Sequence, residues 1–176
     1  GVCDGTGFDE CDNGTYVCNL SECIEGCPDG FVENPNYIGN IDQDPCYPSS
    51  FVYATSTLQG FYYFSEVTLD DQQISPNDWV GAFNGDVCVG ARQWGDCGGD
   101  LGCDVPALGD DGSDNTDGYM LDGQIPTFKI YHSLEDEYAF AIPSGVIQYP
   151  NGYIVNTLAW PGNNTTLIVD LLSGCI

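Results

Sequence analysis

From Tyr47 onward, short apolar or alternating runs are separated by clusters of Gly, Pro, Asn and Asp, and this spacing predicts strands. Eight runs qualify: 50–57 (SFVYATST), 60–69 (GFYYFSEVTL), 78–83 (DWVGAF), 86–94 (DVCVGARQW), 126–132 (PTFKIYH), 137–142 (EYAFAI), 152–160 (GYIVNTLAW) and 165–172 (TTLIVDLL). All are rich in β-branched and aromatic residues. Asn84 and Gly85 stand between two of them and predict a tight hairpin, because a type I′ turn needs positive φ at both central residues. No stretch of a dozen residues keeps the three-and-four apolar spacing of a helix. The pattern therefore predicts an all-β fold, an antiparallel β-sandwich of immunoglobulin-like or jelly-roll-like type, over residues 47–176.

Residues 1–46 read differently. They carry six cysteines and too few hydrophobic residues for a core of their own, so a small cysteine-rich N-terminal segment held by disulfides is expected. Its spacing around FDECDNGTYVCNLSEC has an EGF-like flavour without the CxC ending of that module.

Composition narrows the function classes. Two basic residues, Arg92 and Lys129, face 27 acids, for a formal net charge of −25. Nucleic acids and anionic membranes depend on basic clusters and are excluded as partners. With 42% hydrophobic and 12% aromatic residues, the chain is too apolar to read as disordered. No apolar run is long enough to span a bilayer.

The ten cysteines are Cys3, Cys11, Cys18, Cys23, Cys27, Cys46, Cys88, Cys97, Cys103 and Cys175. Without a CxxC motif, and with His132 as the only histidine, zinc is disfavoured and disulfides in an exported protein are expected. The favoured pairs are Cys97 with Cys103, across five Gly-rich residues, and Cys88 with Cys175. The chain starts at Gly rather than Met and shows no signal peptide, which reads as a processed, secreted or cell-surface protein.

The longest gap without strand character is 95–124, and long loops in compact domains are usually functional or locked in place. It contains DDGSDNTDG, with four aspartates in nine residues. Calcium takes six to eight oxygen ligands, and closely spaced carboxylates on a Gly-rich turn can supply them. Asp110, Asp114, Asp117 and Asp122 are the expected ligands, with Asp111 turned to water. The alternative is an Asx-rich turn in which these side chains bond nearby amides. A second, weaker calcium candidate is Asn40, Asp42 and Asp44.

Enzymatic chemistry is not expected. Only Glu66 and Asp170 lie in apolar segments, both at positions reading as solvent-facing, and no serine sits in a GxSxG context. Glycan contact is the alternative use of the aromatics, with Trp94 beside the long loop as the platform. Asn13, Asn19, Asn163 and Asn164 form glycosylation sequons.

At DWVGAFNGDVCVGARQW, followed by GDDGSD and IPTFKIYH, the chain resembles a recurring module of large secreted and surface proteins of bacteria. The resemblance covers about residues 50–145 and implies an extracellular β-sandwich with a structural or adhesive role. The expected function is an extracellular structural protein, either a subunit of a surface filament that self-associates into a homopolymer or a module of an adhesin, stabilised by disulfides and calcium. A calcium-dependent carbohydrate-binding module is the alternative.

Overall fold

The computed structural model describes residues 9–10, 16–17, 27, 31–33, 46–97 and 103–176. The chain divides into two compact units, Gly1–Ser49 and Ser50–Ile176.

In the first unit, β1 (Asp9–Glu10) pairs antiparallel with β2 (Tyr16–Val17), and β3 (Phe31–Glu33) pairs antiparallel with β4 (Cys46–Pro48). A disulfide joins Cys27 to Cys46. Cys3, Cys11, Cys18, Cys23, Asn13, Asn19, Asn40, Asp42 and Asp44 lie outside the described residues.

The second unit is all-β. Its strands are β5 (Gln59–Leu69), β6 (Gln72–Gln73), β7 (Trp79–Asn84), β8 (Val87–Gln93), β9 (Cys103–Leu108), β10 (Thr127–His132), β11 (Glu137–Gln148), β12 (Ile154–Val155) and β13 (Thr165–Gly174). They form one curled mixed sheet in the order β6-β5-β13-β11-β10-β7-β8, with β9 added to β5 and β12 added to β11. Every pairing is antiparallel except β5 with β13, which runs parallel along nearly the full length of both. Parallel neighbours need a long connection. Here the chain travels through all the other strands before β13 closes the gap between β5 and β11.

A tight turn joins β7 to β8, but one residue later than the sequence suggests: Asn84 ends β7 opposite Val87 and has no positive φ, so Gly85, at φ 62°, and Asp86 make the turn. A β-bulge in β11 between Ser144 and Ile147 is built on Gly145, at φ 86°, and the Asp170 carboxylate accepts the Val146 amide at 2.8 Å.

Alternation places one face of the sheet in a common core. Tyr62 and Phe64 of β5, Val80 and Ala82 of β7, Phe128 and Ile130 of β10, and Leu167 and Val169 of β13 all point inward. The Phe128 ring meets Tyr62 and Phe64 edge to face, at centroid distances of 5.2 and 5.1 Å. Each large side chain buried this way stabilises the fold by roughly 1.5–3 kcal/mol. Buried polar tips find partners: Tyr62 Oη donates to Leu158 O at 2.8 Å and Trp160 Nε1 to Ala107 O at 2.7 Å.

β9 falls within the 95–124 gap, which reads as loop because its flanks are Gly- and Asp-rich and Pro106 sits inside it. Proline lacks an amide donor and is tolerated at a sheet edge. A Cβ at Gly90 of β8 would collide with the Pro106 carbonyl, so the two strands approach closely without a hydrogen-bonded ladder. Arg92 fastens this seam, donating from Nε to Asp104 O and from Nη2 to Asp104 Oδ2, each at 3.1 Å. The Cys97–Cys103 disulfide joins the end of the short turn after β8 to the start of β9.

The expected Cys88–Cys175 bond does not form. Both thiols are free, Cys88 buried in β8 and Cys175 exposed just past β13. Three strands, β11, β10 and β7, lie between β13 and β8. At roughly 4.8 Å per strand this separation far exceeds the roughly 7 Å limit for bridging Cα atoms. Burial pushes the Cys88 thiol up to about 12.

Candidate functional site

The acidic loop begins where β9 ends. Gly109 bridges to Met120, and Asp110 N donates to Met120 O at 3.0 Å, closing residues 110–119 into a compact excursion. At its centre Thr116, fully buried, donates its hydroxyl within the loop, with Asp111 Oδ1 at 3.0 Å and Ser113 O at 3.0 Å as the nearest acceptors. Asp110 Oδ1 accepts the Gly112 amide at 2.8 Å.

Asp111 is the most heavily bonded acid in the loop, contrary to its expected orientation toward water. Its Oδ2 accepts the amide and hydroxyl of Thr57 at 2.9 and 3.0 Å, while Oδ1 accepts the Ser113 amide at 3.1 Å and the Thr116 hydroxyl. Donation from the Thr57 amide, and then from Ser113 and Thr116, holds this carboxyl well below the usual carboxylate range. Three further bonds tie the same segments together. Ser56 Oγ donates to Gly109 O at 2.6 Å, and Tyr119 Oη both accepts from Ala54 N at 2.6 Å and donates to Ala54 O at 3.0 Å. Residues 54–57, which read as strand, are an irregular segment laced to the acidic loop.

The expected calcium ligands are not gathered. Asp114, Asp117 and Asp122 are exposed, Asp110 is half-buried, and among the described residues no group of three or more metal-ligating side chains is assembled. The loop as folded is an Asx-type turn whose carboxylates brace backbone amides. Trp94 is half-buried and packs against the core. Asn163 and Asn164 are exposed, and Asn163 Oδ1 accepts the Gln59 amide at 3.0 Å.

A site that the sequence pattern misreads lies on the outer face of the sheet. In β11 the run Tyr138-Ala139-Phe140-Ala141-Ile142 alternates large and small apolar residues, and the large ones ordinarily point to the core. Here the order is inverted: Ala139 and Ala141 are 3% and 7% exposed, while Phe140 and Ile142 are 72% and 70% exposed. The cause is the pairing of β11 with β10, where Phe128 and Ile130 lie opposite Ala141 and Ala139 and fill the interior. Only small residues fit beside them.

The outer face carries an aromatic layer of its own. The Phe51 ring contacts Phe83, Tyr131 and Tyr138 at centroid distances of 5.6, 6.5 and 5.7 Å, and it lies over Gly81, where a side chain would crowd it. Lys129 Nζ sits 4.3 Å from the Phe83 centroid and 5.3 Å from that of Phe140. The aromatic layer is thus covered at one end by Phe51 and runs out at the other into the bare Phe140–Ile142 ladder, with a cation at the junction.

Compared with models of protein families, with curated proteins and with solved structures, the chain matches none of them.

Proposed function

We propose that this chain is an extracellular structural protein that associates with copies of itself, as the subunit of a surface filament or as a module of an adhesin. The observation that carries this reading is the inverted strand β11, which exposes Phe140 and Ile142 on a chain of net charge −25. Adjacent exposed apolar side chains rimmed by polar surface mark contact sites for other macromolecules. The Cys27–Cys46 and Cys97–Cys103 bonds support a location outside the reducing cytosol. Among the described residues no helix is long and apolar enough to cross a membrane.

The test is sedimentation velocity and negative-stain microscopy of the oxidised protein over a range of concentrations. Concentration-dependent assemblies are expected; a strict monomer up to the millimolar range contradicts the reading. Carbohydrate binding is the second reading. It draws on Tyr149 and Tyr153, whose rings lie nearly parallel, 25° apart at a centroid distance of 6.5 Å, with Tyr153 exposed. Retention on a glycan array that is lost in Tyr153→Ala would favour it.

A further inference from the structure

We infer that the exposed ladder of β11 receives the Leu121–Ile125 turn of a second copy of this chain, with Asp122 of that copy meeting Lys129. This rests on the self-association reading and names the two surfaces involved.

Charge decides what can cover the ladder. Copies bearing −25 each repel one another, so a contact that sets an acid of one copy against a cation of the next is favoured over one that sets acid against acid. Of the two basic residues, Arg92 is already paired with Asp104 at 3.1 Å. Lys129 forms no ion pair among the described residues; it lies over Phe83 and beside Phe140. The ladder therefore offers two aliphatic or aromatic rungs and one cation without a carboxylate. Its complement is a projection with two apolar side chains and a single acid.

The Leu121–Ile125 turn has that composition. Leu121 and Ile125 are 53% and 58% exposed, and Asp122 is exposed between them. The turn is rigidly held: Gln124 Oε1 accepts the Leu121 amide at 2.7 Å and Asn84 Nδ2 at 3.2 Å, while Gln124 O accepts the Trp160 amide at 2.7 Å. Gly123 takes φ of 84° at the tip. A projection already fixed in shape loses little conformational freedom on docking. Leu134, the most exposed aliphatic among the described residues, is followed by Glu135, Asp136 and Glu137, so docking it would carry extra carboxylates onto the apolar ladder.

The experiment measures self-association of the whole oxidised chain by sedimentation equilibrium, with circular dichroism melts confirming that each variant folds. Phe140→Ser/Ile142→Ser and, separately, Leu121→Ser/Ile125→Ser are each expected to weaken association about tenfold or more, as loss of central apolar contacts does. Lys129→Asp and Asp122→Lys should each weaken it severalfold, and the double variant Lys129→Asp/Asp122→Lys should recover most of the loss. If either serine pair assembles like the parent chain, or the charge swap is no better than its single variants, the assignment of these two surfaces is overturned while self-association stands. A parent chain that stays monomeric overturns both.

Discussion

Asp78, 1% exposed at the entrance to β7, tests whether a single buried carboxylate holds one end of the sheet together. Its Oδ2 accepts the Ser75 amide at 2.7 Å, and its Oδ1 accepts both the amide and the hydroxyl of Ser133, each at 2.9 Å. Its carbonyl also accepts the Trp94 amide at 2.8 Å, so the residue joins the turn before β7, the exit of β8 and the exit of β10. Hydrogen bonds to a charged group contribute about 1.5–3 kcal/mol each. Three such bonds sum to at least about 4–5 kcal/mol, but Ser75 is exposed and Ser133 half-exposed, so both regain water when the carboxylate is removed. Asp78→Ala should therefore destabilise the chain by about 3 kcal/mol, roughly a hundredfold in the folded-to-unfolded ratio. Asp78→Asn keeps the shape but turns an NH2 group toward the Ser75 amide, and should cost nearly as much. Ser133→Ala loses one bond and should cost about 1 kcal/mol. Urea unfolding with disulfides intact, followed by tryptophan fluorescence, measures all three. A loss under about 1 kcal/mol for Asp78→Ala, or an Asn variant as stable as the parent, would refute the reasoning.

Three further outcomes are expected. Because the folded-state pKa of Asp111 is depressed, its contribution to stability is fully present above the ordinary carboxylate value of about 4 and is lost as pH falls below it. Asp111→Asn should lower the melting temperature at pH 7 and flatten the decline between neutral and strongly acidic pH, as followed by circular dichroism. Since Asp110 and Asp111 already accept protein donors, millimolar calcium or its chelation should move the melting temperature by less than about 2 °C; a larger shift in calorimetry would show that the loop holds an ion. Cys175 should react with a maleimide in the folded protein and Cys88 only after unfolding, which peptide mapping of the labelled sites can read.

Much of the architecture is legible as pattern. Tyr62 and Phe64, or Leu167 and Val169, alternate with less buried residues and take the inward places that a period of two demands. The hairpin between β7 and β8 is legible too, though its turn falls on Gly85 and Asp86 because Asn84 stays in the ladder opposite Val87. β9 is hidden because its proline and Gly-rich flanks obey the rules of a loop, and its strand character comes from β5, which supplies the ladder. The parallel partnership of β5 and β13 joins residues about a hundred positions apart, and no local signal encodes it. The Cys88–Cys175 expectation failed for the same reason: spacing along a chain says nothing of which strands intervene in space.

The acidic loop and the β11 ladder divide along this line. Composition alone determined that the chain is acidic, apolar enough to fold, rich in cysteine and built of strands, because those properties belong to residues and to short-range periodicity. Which way each alternating strand faces is a property of its neighbours. Phe128 and Ile130 fill the interior beside β11, so Ala139 and Ala141 go inward and Phe140 and Ile142 go out. In the same way, Asp111, still open to solvent, is bonded to the Thr57 amide of a segment distant in sequence. Only tertiary packing could decide either, since each depends on volume and donors that another part of the chain supplies.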